Sequence, residues 1–145
     1  MTDSRRAITG IHHFASTVRD VEASAQWYQE VFGLERVPVT FPHHEREETG
    51  YAVLLIDPKS GLAFGLHQNT GNQGEKFDEC RTGLDHIGFN VADRAEMDRW
   101  AEHLTSLGVE HTGIRDITGP ITFSTLVFRD PDNIQLEFFT MGQPG

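Results

Sequence analysis

At 145 residues the chain has the length of one domain, enough to bury a single sizeable core. Its 12 Lys plus Arg against 22 Asp plus Glu give a formal charge of -10, which argues against nucleic-acid binding, where a basic face is needed. An anionic substrate would need a local positive site, such as a metal ion or an arginine.

One cysteine, Cys80, cannot form an internal disulfide, which fits a reducing cytoplasm. No apolar run follows Arg5 and Arg6, so no secretory signal is expected. No stretch approaches the ~20 apolar residues of a membrane span. The expected setting is cytoplasmic.

In chain order, residues 1–7 read as a loose leader and 8–19 as a first strand. Alternation sends His13, Ala15 and Thr17 to one face and Phe14, Ser16 and Val18 to the other. Asp20 is a candidate N-cap. Val21, Ala25, Tyr28 and Phe32, widened by Trp27 and Val31, have helical spacing, and Gly33 suits the helix end. Residues 34–41 read as a strand. Residues 42–50 read as a polar loop whose His43 and His44 face solvent. Residues 51–56 and 62–68 read as strands around a turn at 57–61. The polar, glycine-rich stretch 69–82 connects this first module, 8–68, to a second at 83–141.

The second module repeats the order. Residues 84–91 read as a strand with His86, Gly88 and Asn90 on one face. Asp93 and Glu96 resemble a capping box. Met97, Trp100, Ala101, Leu104 and Leu107 form a helical stripe ended by Gly108. Strands are expected at 109–117, 121–128 and 134–140. Five features recur 73 residues apart: Gly10 and Gly83, His13 and His86, Val18 and Val91, Asp20 and Asp93, Asp57-Pro58 and Asp130-Pro131. The expected fold is therefore α+β, a βαβββ module used twice. Each sheet has one face under helix and one free to form a cleft.

On the closing strand, Leu136 and Phe138 read as core, which sends Gln135, Glu137 and Phe139 to the free face. A carboxylate in such an apolar run is costly unless paired or metal-bound. By the same alternation His13 and His86 share that face with Glu137. Two imidazoles and a carboxylate can hold an octahedral divalent ion with open positions, and suit Fe(II), Mn(II) or similar metals. His12 is expected on the opposite face, as a structural histidine.

GLDHIGFNV at 83–91, followed by Asp93, and DPDNIQLEF at 130–138 resemble the glyoxalase / bleomycin-resistance / extradiol-dioxygenase superfamily, the vicinal oxygen chelate proteins. That resemblance implies paired modules forming a cup, with metal ligands on the first and last strands: His13, His86 and Glu137. The first module's turn is one residue longer, so Glu137 matches Gly65, which cannot ligate. The four-ligand pattern of glyoxalase I is thus incomplete. The three-ligand set is nearer the fosfomycin-modifying and extradiol-dioxygenase members. His67, two residues after Gly65, falls on the same face as a candidate acid or base. Tyr51, Asn90, Phe123, Phe139 and Arg115 are candidates to line a substrate pocket.

The expected cofactor is a divalent ion: Fe, Mn, Ni, Zn or Co. The expected activity is metal-dependent chemistry of lyase or isomerase type, on a small molecule that chelates the ion through vicinal oxygens. An Fe(II) dioxygenase, a fosfomycin-modifying type of transferase and a metal-free drug-binding protein are the alternatives. Members often pair modules across a homodimer, and the sequence leaves open whether the modules here pair within or between chains.

Overall fold

The computed structural model describes residues 4–43 and 46–142. The elements run β1 (His13–Thr17), α1 (Val21–Phe32), β2 (Glu35–His43), β3 (Arg46–Ile56), β4 (Ala63–Asn69), β5 (Ile87–Asn90), α2 (Arg94–Ser106), β6 (Arg115–Ile117), β7 (Phe123–Arg129) and β8 (Gln135–Met141). They form two four-stranded sheets, ordered β1-β4-β3-β2 and β5-β8-β7-β6. In each sheet the first and last strands of the module pair in parallel, and the other pairs are antiparallel.

Both helices start where the repeat places them. Asp20 accepts from the Ala23 amide at 3.0 Å and Asp93 from the Glu96 amide at 2.7 Å. Each carboxylate satisfies an amide that the first helical turn leaves unpaired. α1 ends at Gly33 with φ 69°, a left-handed conformation that glycine adopts without a Cβ clash.

Two expectations are corrected. The described residues of 42–50 are strand, not loop: β2 continues to His43 and β3 begins at Arg46, with Pro42 opposite Tyr51. β2 is an edge strand, largely exposed on both faces. Solvent exposure removes the alternation that would have marked it, and its prolines sit where a bulged edge tolerates them. His44, expected at the surface, lies outside the described residues. The strand expected at 109–117 is only β6, three residues long. Ahead of it, a single bridge joins His111 to Phe128, and Thr112 donates its amide to the Val127 carbonyl at 3.0 Å.

The covered faces of both sheets and the buried faces of both helices share one core, from Val18, Tyr28 and Leu66 to Val91, Leu104 and Phe138. Phe32, at the end of α1, joins the modules: its ring lies 5.2 Å from Phe64 and Phe89 and 5.9 Å from Phe138. Polar contacts reinforce the join. The Tyr28 hydroxyl donates to Asp130 at 2.7 Å, the Ser24 hydroxyl to Asp132 at 3.3 Å, and Arg19 Nε to Asp132 at 2.8 Å. The connection between modules is tied down as well. Phe77 donates its amide to the Asp132 carbonyl at 2.8 Å, and Arg129 pairs with Glu79 at 2.7 Å.

Candidate metal centre on the open sheet faces

Register fixes which residues share each open face. Across the first sheet, His13 sits opposite Ala63, Ala15 opposite Gly65, and Thr17 opposite His67, which faces Ala52 on β3. Across the second, Gly88 sits opposite Glu137 and then Val127. The next row is Asn90, Phe139, Thr125 and Arg115. The alternation expected for β8 holds. Leu136 and Phe138 are buried, while Gln135, Glu137 and Phe139 are half-buried on the other face.

His86 and Glu137 come together. His86 Nε2 lies 3.9 Å from Glu137 Oε2, with side-chain exposures of 40% and 18%. Gly88 keeps the space beside this carboxylate open: a Cβ there would stand 3.7 Å from Glu137 Oε1. The other imidazole nitrogen is committed, since His86 Nδ1 lies 2.7 Å from Asp85 Oδ1. A carboxylate only accepts, so in this contact His86 donates from Nδ1, and in the neutral ring Nε2 then carries the lone pair on the side of Glu137. This is the tautomer a metal ligand needs, fixed by an outer partner.

His13 occupies the equivalent place in the first module and is exposed. Its Nδ1 lies 2.8 Å from His12 Nδ1. His12, expected on the opposite face as a structural histidine, is exposed and bonded to its neighbour. Donation from His13 to His12 would leave His13 Nε2 as a free donor atom. By the repeat offset His12 corresponds to Asp85, so in both modules the preceding side chain holds Nδ1 of the candidate ligand. Neither partner was expected in that role, although its position immediately before a repeated histidine was an available signal. His13 does not join the other pair within one chain. Among the described residues, no three His, Cys, Asp or Glu side chains are grouped to hold a metal ion.

Gly65 stands where a fourth ligand would be. A Cβ there would approach the Ala15 Cβ to 3.1 Å, so glycine is favoured by close packing of β1 on β4. His67 is half-buried on the same face, with its ring 5.2 Å from that of His43. His43, read as a solvated loop residue, in fact sits on β2 beside His67.

The pocket candidates separate. Phe123 and Phe139 stack at 5.3 Å with an interplanar angle of 25°, making a flat aromatic wall beside Glu137. Asn90 and Arg115 share the row of Phe139, and both are exposed. Arg129, further along that face, is bound by Glu79, whose carboxyl is held down to about 2 by the Arg129 hydrogen bond first and by a backbone hydrogen bond next. Tyr51 does not take its expected place in the pocket. It lies one residue out of register with the open-face Ala52, packs on the helix side and donates to Glu22 at 3.3 Å. No helix among the described residues is long and apolar enough to cross a membrane.

The profile of the glyoxalase/bleomycin resistance protein/dioxygenase superfamily matches residues 10–138. The chain belongs to this superfamily. Its fold is that of a glyoxylase/bleomycin resistance protein/dioxygenase domain from Frankia sp. EAN1pec, 31% identical, with TM-score 0.80 over 94% of this chain and all of that one. It is also 29% identical, over 99 residues, to MhqA of Bacillus subtilis (strain 168), named as a candidate ring-cleaving dioxygenase. That match takes in 68% of this chain but 30% of the relative's length. A fosfomycin resistance protein of Listeria monocytogenes, solved with Mn(II) and 1S,2S-dihydroxypropylphosphonic acid, shares the fold at TM-score 0.62 and 21% identity, over 91% of this chain and 92% of that one.

Proposed function

We propose that this superfamily member is a divalent-metal enzyme whose site is completed by a second copy of the chain. His13 of one copy joins His86 and Glu137 of the other. The substrate is a small molecule presenting two adjacent oxygens, and the chemistry is proton transfer of the lyase or isomerase kind. The observation that carries this reading is the division of donors: a preset His86–Glu137 pair on one open face and an exposed His13 on the other module's open face. The donor set fits the ion, with two imidazoles whose Nδ1 atoms are already engaged and one carboxylate. A bound divalent ion supplies Lewis acidity, polarising a chelating oxygen and acidifying the adjacent C–H.

The chain's own residues do the rest. His67, on the open face that carries His13, takes and returns the proton. Phe123 and Phe139 exclude water from one side of the substrate. Arg115, two strands from β8, or about 10 Å away at ordinary strand spacing, receives an anionic end. A second reading, oxygen-dependent ring cleavage with Fe(II), is favoured by the flat Phe123–Phe139 wall beside Glu137 and by the likeness to MhqA.

Metal titration of chelator-stripped protein tests the proposal, with Glu137→Gln as control and sedimentation to give the oligomeric state. Stoichiometric binding by a dimer, lost in the control, is the expected result. Oxygen uptake by Fe(II)-loaded protein with a vicinal diol on an aromatic ring would select the second reading. Failure to bind any divalent metal refutes both and leaves ligand capture without chemistry.

A further inference from the structure

The two modules do not close on each other symmetrically. Where α1 meets the β7–β8 turn, Tyr28 crosses the junction, fully buried, and its phenol donates to Asp130 while Arg19 holds Asp132. The repeat offset pairs Tyr28 with Ala101 and Arg19 with Ala92, yet pairs Asp130 with a retained acid, Asp57. At this second junction, no hydrogen bond among the described residues joins α2 to the β3–β4 turn. A groove of about 560 Å³ opens instead, lined by Phe64, Phe89, Trp100 and Phe138, with Asp57 and Glu96 among its polar groups. It reaches Gly88 and Asn90 at the edge of the second sheet's open face, but takes in neither His13, His67, His86 nor Glu137.

We propose that this groove is a second ligand site, separate from the His86–Glu137 pair, and that it takes a small neutral phenol. The ligand's ring lies among the aromatic side chains as the Tyr28 ring does in the other half, and its hydroxyl donates to Asp57. The occupant is named by the chain itself, since the matching junction is filled by a phenol bonded to the matching carboxylate. The retained acid is suited to the role. Burial works against its charge, but the Ser60 hydroxyl and the Lys59 and Ser60 amides outweigh this and hold Asp57 below the usual carboxylate range. Those three donors fill three of a carboxylate's roughly four acceptor positions, and leave one for a ligand. The volume is within the range of small-molecule sites, and the aromatic lining suits a flat ring.

The test uses metal-free wild-type protein and two probes of nearly equal shape, 4-methylphenol and toluene. Binding is followed by tryptophan fluorescence and by amide NMR shifts. The expected result is saturable 4-methylphenol binding, with shifts at Asp57, Lys59, Ser60 and Trp100. Toluene should bind at least about tenfold more weakly for want of the hydrogen bond. Asp57→Asn should reduce the difference between the two probes. Ala101→Tyr, which supplies the missing phenol from within the chain, should abolish binding. No saturation, equal affinity for toluene, shifts confined to the open faces, or undiminished binding by folded Ala101→Tyr each overturns the proposal. Should Ala101→Tyr not fold, the Asp57→Asn affinities and the shift map decide alone. Metal affinity does not enter any readout, so this test stands or falls apart from the proposed enzyme activity.

Discussion

Replacing Tyr28 by Phe removes one oxygen atom from a site that is otherwise unchanged in shape. Tyr28 is 0% exposed, and its hydroxyl is the donor on Asp130 Oδ2, while the Asp132 and Ile134 amides at 2.8 and 2.9 Å hold Oδ1. The substitution therefore leaves a buried carboxylate oxygen without its donor, at a cost of about 2 kcal/mol. For a domain of this length that is a fall in Tm of roughly 4–8 °C. The loss should depend on pH. Burial is the largest influence on Asp130 and raises its pKa, and the Tyr28 bond opposes it. Without Tyr28 the carboxyl moves further up. A raised carboxylate pKa means the folded state favours the protonated form, so stability falls as pH rises through the unfolded value to the folded one. Tyr28→Phe should thus be most damaging at neutral pH and approach wild type as Asp130 becomes protonated. Urea unfolding of both proteins across pH 3–8 measures this. A loss below about 0.5 kcal/mol at neutral pH, or one that does not shrink in acid, would refute the account of the module junction.

Asp85→Asn should weaken divalent-metal binding about 10–100-fold with little change in stability, because it loosens the Nδ1–H tautomer of His86. Nitrogen-15 shifts of the metal-free imidazole should show that tautomer in the wild type and a mixture in the variant. A Gly65→Glu substitution should not restore a fourth ligand alone, because its Cβ would press on Ala15 at 3.1 Å; paired with Ala15→Gly it should regain roughly 1 kcal/mol in thermal unfolding. Glu79, held at about 2 in the folded protein against 4.5, stabilises the docked connection above pH 4.5 and loses that effect as pH falls towards 2. Glu79→Gln should flatten the pH dependence of amide exchange at Phe77 across that window.

Much of this was legible in the chain. Alternation along 134–140 placed Glu137 opposite the core residues Leu136 and Phe138, because a strand's period of two separates the faces cleanly. The repeat then placed His13 and His86 on matching open faces. Tyr51 was misread because an aromatic residue fits either face of a strand, and only the observed register with Gln68 shows which it takes. The β2–β3 pairing across 42–50 was not expected because an exposed edge strand has no buried side to print a pattern. Pairing partners such as Asp85 and His12 showed in the chain only as the residues before each repeated histidine, since a contact between adjacent side chains turns on rotamers. Nor did the sequence show that His13 stands apart from the other two donors, which depends on how the modules pack.

That separation has a genetic counterpart. A site built from His13 of one copy and the His86–Glu137 pair of another draws on each chain in two different places. A His13→Ala chain and a Glu137→Gln chain would each be inactive alone. Mixed in one dimer, they would bring both lesions into a single site and leave its twin with a complete donor set. With random pairing, half the dimers are mixed and each holds one sound site, so two dead proteins would recover about a quarter of the wild-type turnover between them. The same fold with its cup closed inside one chain would recover none.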